Sequence, residues 1–144
     1  LISLYGRLKR FDDGEKEYRA AVARNPHRDE AHYNYAVMLT AQGRLEEAAA
    51  AYRSALAANP MHAEAHNNLA FLLARRREFG AALEHARKAL ESKPGYPQAH
   101  YNAAMILMAR GERAAAIEHL QAAVKSAPDE LRYRQGLEAA LARR

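Results

Sequence analysis

Of the 144 residues, seven are histidines, and these are the side chains best suited to chemistry; His62 and His66 stand four apart, as two metal ligands on one helical face would. The rest of a metal site is missing. His62 precedes the expected helix and there is no cysteine. The run His62-Ala63-Glu64-Ala65-His66 lacks the glutamate directly after the first histidine that a zinc protease uses as general base. His32, His66 and His100 recur at a packing position and are expected to be structural. Nucleophilic catalysis is no better supplied. Serine occurs only at 3, 54, 92 and 126, the last three on helices turned away from the candidate binding side, and no glycine-rich loop is present to cradle a phosphate. Glu46 and Glu47 begin a helix, where the macrodipole accounts for them. No catalytic residue, metal or cofactor is therefore expected, and the chain is read as a non-enzyme.

Two groups of residues retain a chemistry of binding. Asn34, Asn68 and Asn102 are 34 residues apart, and each amide offers a donor and an acceptor to the backbone of an extended peptide. Arg75-Arg76-Arg77, with Arg110 and Arg113, form the densest basic stretch. Nucleic-acid binding needs stacking aromatics among such groups, and Tyr33, Phe71 and Tyr101 fall elsewhere, so a solvated face is the expectation. The net charge of +5, from 22 basic and 17 acidic residues, favours acidic partners only weakly.

The elements that position these residues repeat. Prolines stand at 26, 60, 94 and 128, with Ala21, Ala55, Ala89 and Ala123 each five residues ahead. Between Asp29 and His62 apolar residues recur three and four apart through Leu39, Gln42-Gly43 interrupts, and a second amphipathic run ends at Asn59-Pro60. Each unit is thus a helix, a short turn and a second helix. Gly43 suits the left-handed residue that ends the first helix, and Pro60 blocks continuation of the second. No stretch alternates as a strand would, and no apolar run is long enough to span a membrane.

Ala36, Leu39, Gly43, Ala48, Tyr52, Ala55 and Pro60 resemble, at their spacing, the tetratricopeptide repeat (TPR) family. Ala63 to Tyr96 and Pro97 to Glu130 repeat the pattern. Departures are His32, His66 and His100 in place of a tryptophan, Arg77 in place of the turn glycine, and Ala86 and Leu120 in place of the aromatic at Tyr52; locally looser packing is expected there. The resemblance implies an all-α fold, a right-handed superhelical solenoid of antiparallel helix pairs. Its expected parts are a partial repeat over 1–28, repeats over 29–62, 63–96 and 97–130, and a capping helix over 131–144. That last helix should bury Leu131, Leu137 and Leu141 and expose Arg132, Arg134, Glu138, Arg143 and Arg144.

At 100° per residue, positions 4, 7, 8 and 11 of each first helix share the packing side and positions 2, 5, 6, 9, 12 and 13 lie opposite. The resemblance implies that this second side lines a concave groove for a peptide or partner helix. The groove residues would be Tyr33, Asn34, Val37, Asn67, Asn68, Phe71, Arg75, Tyr101, Asn102 and Met105. The asparagine column resembles the ladder in the TPR arm of O-linked N-acetylglucosamine transferases. The basic positions of the two-carboxylate clamp are absent, since Glu30, Glu64 and Gln98 stand there.

The leading expectation is a protein-interaction module, whole or as the docking arm of a larger enzyme. A second is self-association through Leu1, Leu4, Leu8 and Phe11 at an incomplete first repeat, making a homodimer. Nucleic-acid binding is third. The compartment is not legible, although alanine and arginine richness suggests a soluble bacterial, cytoplasmic protein.

Overall fold

The computed structural model describes Ile2, Leu4 and residues 10–142. Among them lie eight α-helices and no strand: α1 (Phe11–Arg24), α2 (Asp29–Ala41), α3 (Leu45–Ala58), α4 (Ala63–Arg75), α5 (Phe79–Ser92), α6 (Pro97–Ala109), α7 (Arg113–Ser126) and α8 (Leu131–Ala142). The chain divides into two compact units, Leu1–Ala65 and His66–Arg144. Leu1, Tyr5, Leu8, Arg143 and Arg144 lie outside the described residues.

Each first helix ends the same way. Gly43 and Gly111 take φ of 75° and 81°, and Arg77 takes 64°. The amide after each turn residue reaches back five residues, Arg44 to Leu39 O at 3.0 Å, Glu78 to Leu73 O at 3.0 Å and Glu112 to Leu107 O at 2.8 Å. This is the Schellman closure, which satisfies carbonyls a helix end would otherwise strand. The substitution at Arg77 therefore leaves the turn intact. Its cost is a left-handed side-chain-bearing residue, about 1–2 kcal/mol by the Cβ–carbonyl contact.

Alanine sets how closely the helices approach. Ala36, Ala48 and Ala55 in the first unit, and Ala70, Ala82, Ala89, Ala104, Ala116 and Ala123 in the second, are each 0% exposed. Larger residues fill around them: Met38, Leu39 and Tyr52 in the first unit, Leu69, Leu73, Ile106, Leu120 and Tyr133 in the second. Ala86 and Leu120, which stand where Tyr52 does, are fully buried too. Neither departure opens the interior to solvent. Around Ile2, Ala31 and Met38 a further cluster gathers Phe11, Tyr18, Ala21, Val22 and Tyr35.

The buried stripe of a first helix is wider than positions 4, 7, 8 and 11: Ala31, Met38, Leu72, Ala99 and Ile106, at positions 3 and 10 of their repeats, are buried too. A first helix buries a wider stripe because it touches more than its own hairpin partner. In α8 the inward residues are Tyr133 and Ala140, while Leu131 and Leu141 are each 55% exposed. Leu141 is on the side that a second helix of a hairpin would cover, and none follows α8 among the described residues. Arg113 closes this helix instead, donating from Nε to Ala140 O at 2.6 Å and from Nη2 to Leu141 O at 3.0 Å.

Candidate peptide-docking faces

In the second unit, α4 turns Phe71 outward at 45% exposed, with the Arg75 guanidinium 5.9 Å above its ring. On α6 the corresponding residue is Met105, 36% exposed. Two apolar side chains on an outward side beside a cation are unusual for a helix that buries its other stripe, and they offer a surface for an apolar group with a carboxylate next to it.

The asparagines are engaged with one another. Asn67 is only 5% exposed. Asn102 donates from Nδ2 to Asn67 Oδ1 at 2.8 Å, and Asn67 donates from Nδ2 to Asn68 Oδ1 at 3.2 Å. Asn67 thus works inside the fold as a link between repeats. Asn102 keeps its carbonyl oxygen and one N–H for another partner, and Asn68 is half-buried beside Phe71.

Tyr101 is half-buried and clasped by α8. Its ring centroid lies 5.3 Å from that of Tyr133, and the Arg132 guanidinium sits 5.0 Å from Tyr101 and 5.1 Å from Tyr133. Gly136 permits this approach: a Cβ there would lie 3.1 Å from Leu120 Cδ2 and 3.3 Å from Tyr101 Cε2. Neither Arg132 nor Gly136 was assigned to the site from sequence. Their signal was position, since they fall at positions 2 and 6 if Leu131 opens a further first helix. With Arg132 included, the described residues at these positions of α4, α6 and α8 carry two arginines and one carboxylate, Glu64 in the first turn of α4.

In the first unit Tyr33, Asn34 and Val37 are all half-buried. The Tyr33 ring meets two others at a tilt, with centroids 4.7 Å from His62 and 6.0 Å from Tyr52. Asn34 lines a cavity of about 510 Å³ with Glu17, Arg24, Arg28 and Glu30, so that both charges face it. Asp29, at the start of α2, accepts from Asn59 Nδ2 at 2.8 Å, and that bond holds its carboxyl below the usual range.

The histidines that opened the metal question are otherwise occupied. His62 lies just ahead of α4, with Nδ1 accepting the Ala65 amide at 3.3 Å. The Nδ1 atoms of His66 and His85 are 2.8 Å apart, and those of His100 and His119 are 2.9 Å apart. Among the described residues no three or more His, Cys, Asp or Glu side chains come together as a metal site. No helix there is long and apolar enough to cross a membrane.

Tetratricopeptide repeat profiles match residues 1–60, 41–97 and 73–141. A search of curated proteins finds no significant match. Among solved structures, MamA is similar over 97% of this chain and 82% of its own, with a TM-score of 0.85 at 21% identity. PilF of Pseudomonas aeruginosa is similar over 95% of this chain and 63% of its own, with a TM-score of 0.86 at 19% identity. The first TPR domain of Spaghetti (RPAP3), bound to the HSP90 peptide SRMEEVD, is similar over 78% of this chain and 90% of its own, with a TM-score of 0.75 at 17% identity. At these identities the likeness establishes the fold: an all-α TPR solenoid.

Proposed function

The chain belongs to the tetratricopeptide repeat family, and on that premise we propose that it is a protein-interaction module, without chemistry of its own, that holds an extended acidic segment of a partner. The segment lies along α4 and α6 of the second unit. An apolar side chain of the partner covers Phe71 and Met105, a carboxylate meets Arg75, and the spare amide groups of Asn102 bond its backbone.

The observation that carries this reading is the pairing of exposed Phe71 and Met105 with Arg75, on a side whose one carboxylate, Glu64, stands at the opposite end of α4. Complementary charge selects and steers the partner, and burial of the two apolar groups supplies the affinity. The full ladder of the O-linked N-acetylglucosamine transferase arm fits less well, because two members of the column are already engaged, Asn102 donating to Asn67 and Asn68 accepting from it. That a similar fold binds a peptide containing Met next to two Glu residues supports an acidic, apolar ligand.

Fluorescence anisotropy with a short synthetic peptide carrying Met or Leu beside two glutamates tests it. Binding is expected to weaken about tenfold or more in Asn68→Ala/Phe71→Ala, a loss of ~1.4 kcal/mol or above. Equal binding by the variant, or by a peptide with lysines replacing the glutamates, overturns the reading. The basic ridge has its own control, since binding to RNA would fall steeply with added salt.

A further inference from the structure

The two imidazole pairs of the second unit are unused by the docking reading, and they repeat one geometry. His66 on α4 faces His85 on α5, and His100 on α6 faces His119 on α7, in each case Nδ1 to Nδ1 at hydrogen-bond distance.

The protons of the second pair can be placed. His100 Nε2 lies 2.9 Å from Pro94 O, and a carbonyl can only accept, so Nε2 carries the hydrogen and Nδ1 presents its lone pair. His119 must then donate from Nδ1. A neutral pair holds two protons. A third fits on His119 Nε2, leaving the bond in place. A fourth would have to sit on His100 Nδ1, directly opposing the His119 Nδ1–H at 2.9 Å. The bond cannot survive it.

We infer that these pairs are acid-sensitive clasps, each joining the two helices of its repeat at neutral pH and opening when the second imidazole is charged. The groups acting on His119 are His100 on α6, Glu118 beside it on α7 and Arg87 on α5. Burial first, then His100, with Arg87 in the same direction and Glu118 opposing, hold the His119 imidazolium below the usual histidine range. At the other pair, Glu84 precedes His85 and bridges at 3.7 Å to Lys88. The unfolded chain imposes no such limit, and each ring there takes its proton near pH ~6.5. The unfolded state therefore binds more protons as pH falls, and the hairpins lose stability below that value and regain it above.

The first unit shows what the clasp replaces. His32 also donates from Nε2 to a proline carbonyl, Pro26 O at 2.8 Å, but its Nδ1 meets the Tyr18 hydroxyl at 3.0 Å, and Ala51 stands where His85 and His119 do. A hydroxyl can donate or accept, so this bond persists when the ring is charged.

Histidine-labelled protein in ¹⁵N NMR reads the clasp directly. Coupling between the two Nδ1 atoms of a pair is expected at pH 7.5, with the two rings titrating in separate steps. Rings that titrate independently near pH ~6.5 with no coupling overturn the inference. Urea unfolding at pH 7.5 and 5.0 gives the second measure. The unfolding constant should rise at least about tenfold more in the wild type than in His85→Ala/His119→Ala, whose alanines copy Ala51. An identical pH response in the variant overturns it as well. If the variant does not fold, the NMR titration of the wild type decides.

Discussion

The two units use one repeat and solve the same two problems differently. In the first, a first-helix histidine leans on a tyrosine of the preceding helix, Tyr18, which is itself stacked on Tyr35 at 3.9 Å, and a large ring, Tyr52, fills the second helix. In the second, histidine meets histidine within the hairpin, and Ala86 or Leu120 takes the place of the ring. Their outward sides differ too, mixed in charge around Asn34 and cationic with exposed apolar groups around Phe71 and Met105. A conserved spacing thus leaves latitude at positions where volume or hydrogen bonding can be met in more than one way. What stays constant is the alanines, because only their size sets the approach of backbones.

The comparison can be broken most severely at Tyr52. Tyr52→Ala should destabilise the first unit by about 3–5 kcal/mol through the cavity it leaves, even though Ala86 is native at the matching position. Its reverse, Ala86→Tyr, should also destabilise, by about 1–3 kcal/mol or more, through overpacking. Urea unfolding measures both, and a neutral swap in either direction would show the two interiors to be interchangeable. Next in size comes Tyr18→Phe, which removes the donor to His32 and should cost about 1 kcal/mol at pH 7 while leaving the acid response of the second unit unchanged. The turns provide the smallest effect and the clearest sign. Arg77→Gly should stabilise by about 0.5–1 kcal/mol, since relief of the Cβ contact at φ of 64° outweighs the extra freedom glycine loses on folding, whereas Gly43→Ala should destabilise by a similar amount. Thermal melts of the three proteins check the order.

Self-association can be weighed against docking by the exposed apolar groups that remain. Leu4 is 47% exposed while Phe11 is half-buried in the cluster around Ile2, so less of the proposed N-terminal edge is available than its sequence suggests. Light scattering across a concentration series is expected to give a monomer.

Helix, turn and helix were legible in the residues because each depends on neighbours a few places away. Periodicity of three and four, the glycines at 43 and 111 and the prolines after the second helices are local causes with local effects. The position of Phe71 and Met105 on the outward side followed from the same 100° rotation. What only the tertiary structure decided was which groups on that rotation meet another helix. Asn67 and Asn102 are 35 residues apart in the chain and 2.8 Å apart in space. Tyr133 and Ala140 of α8 face inward, where Leu131 and Leu141 were expected, because the packing side of this helix is set by α6 and α7, whose Tyr101 and Leu120 it meets. The histidine pairs belong to this second class. Spacing places each ring on a helix, and the hydrogen bond between two rings exists only when two helices settle at one distance.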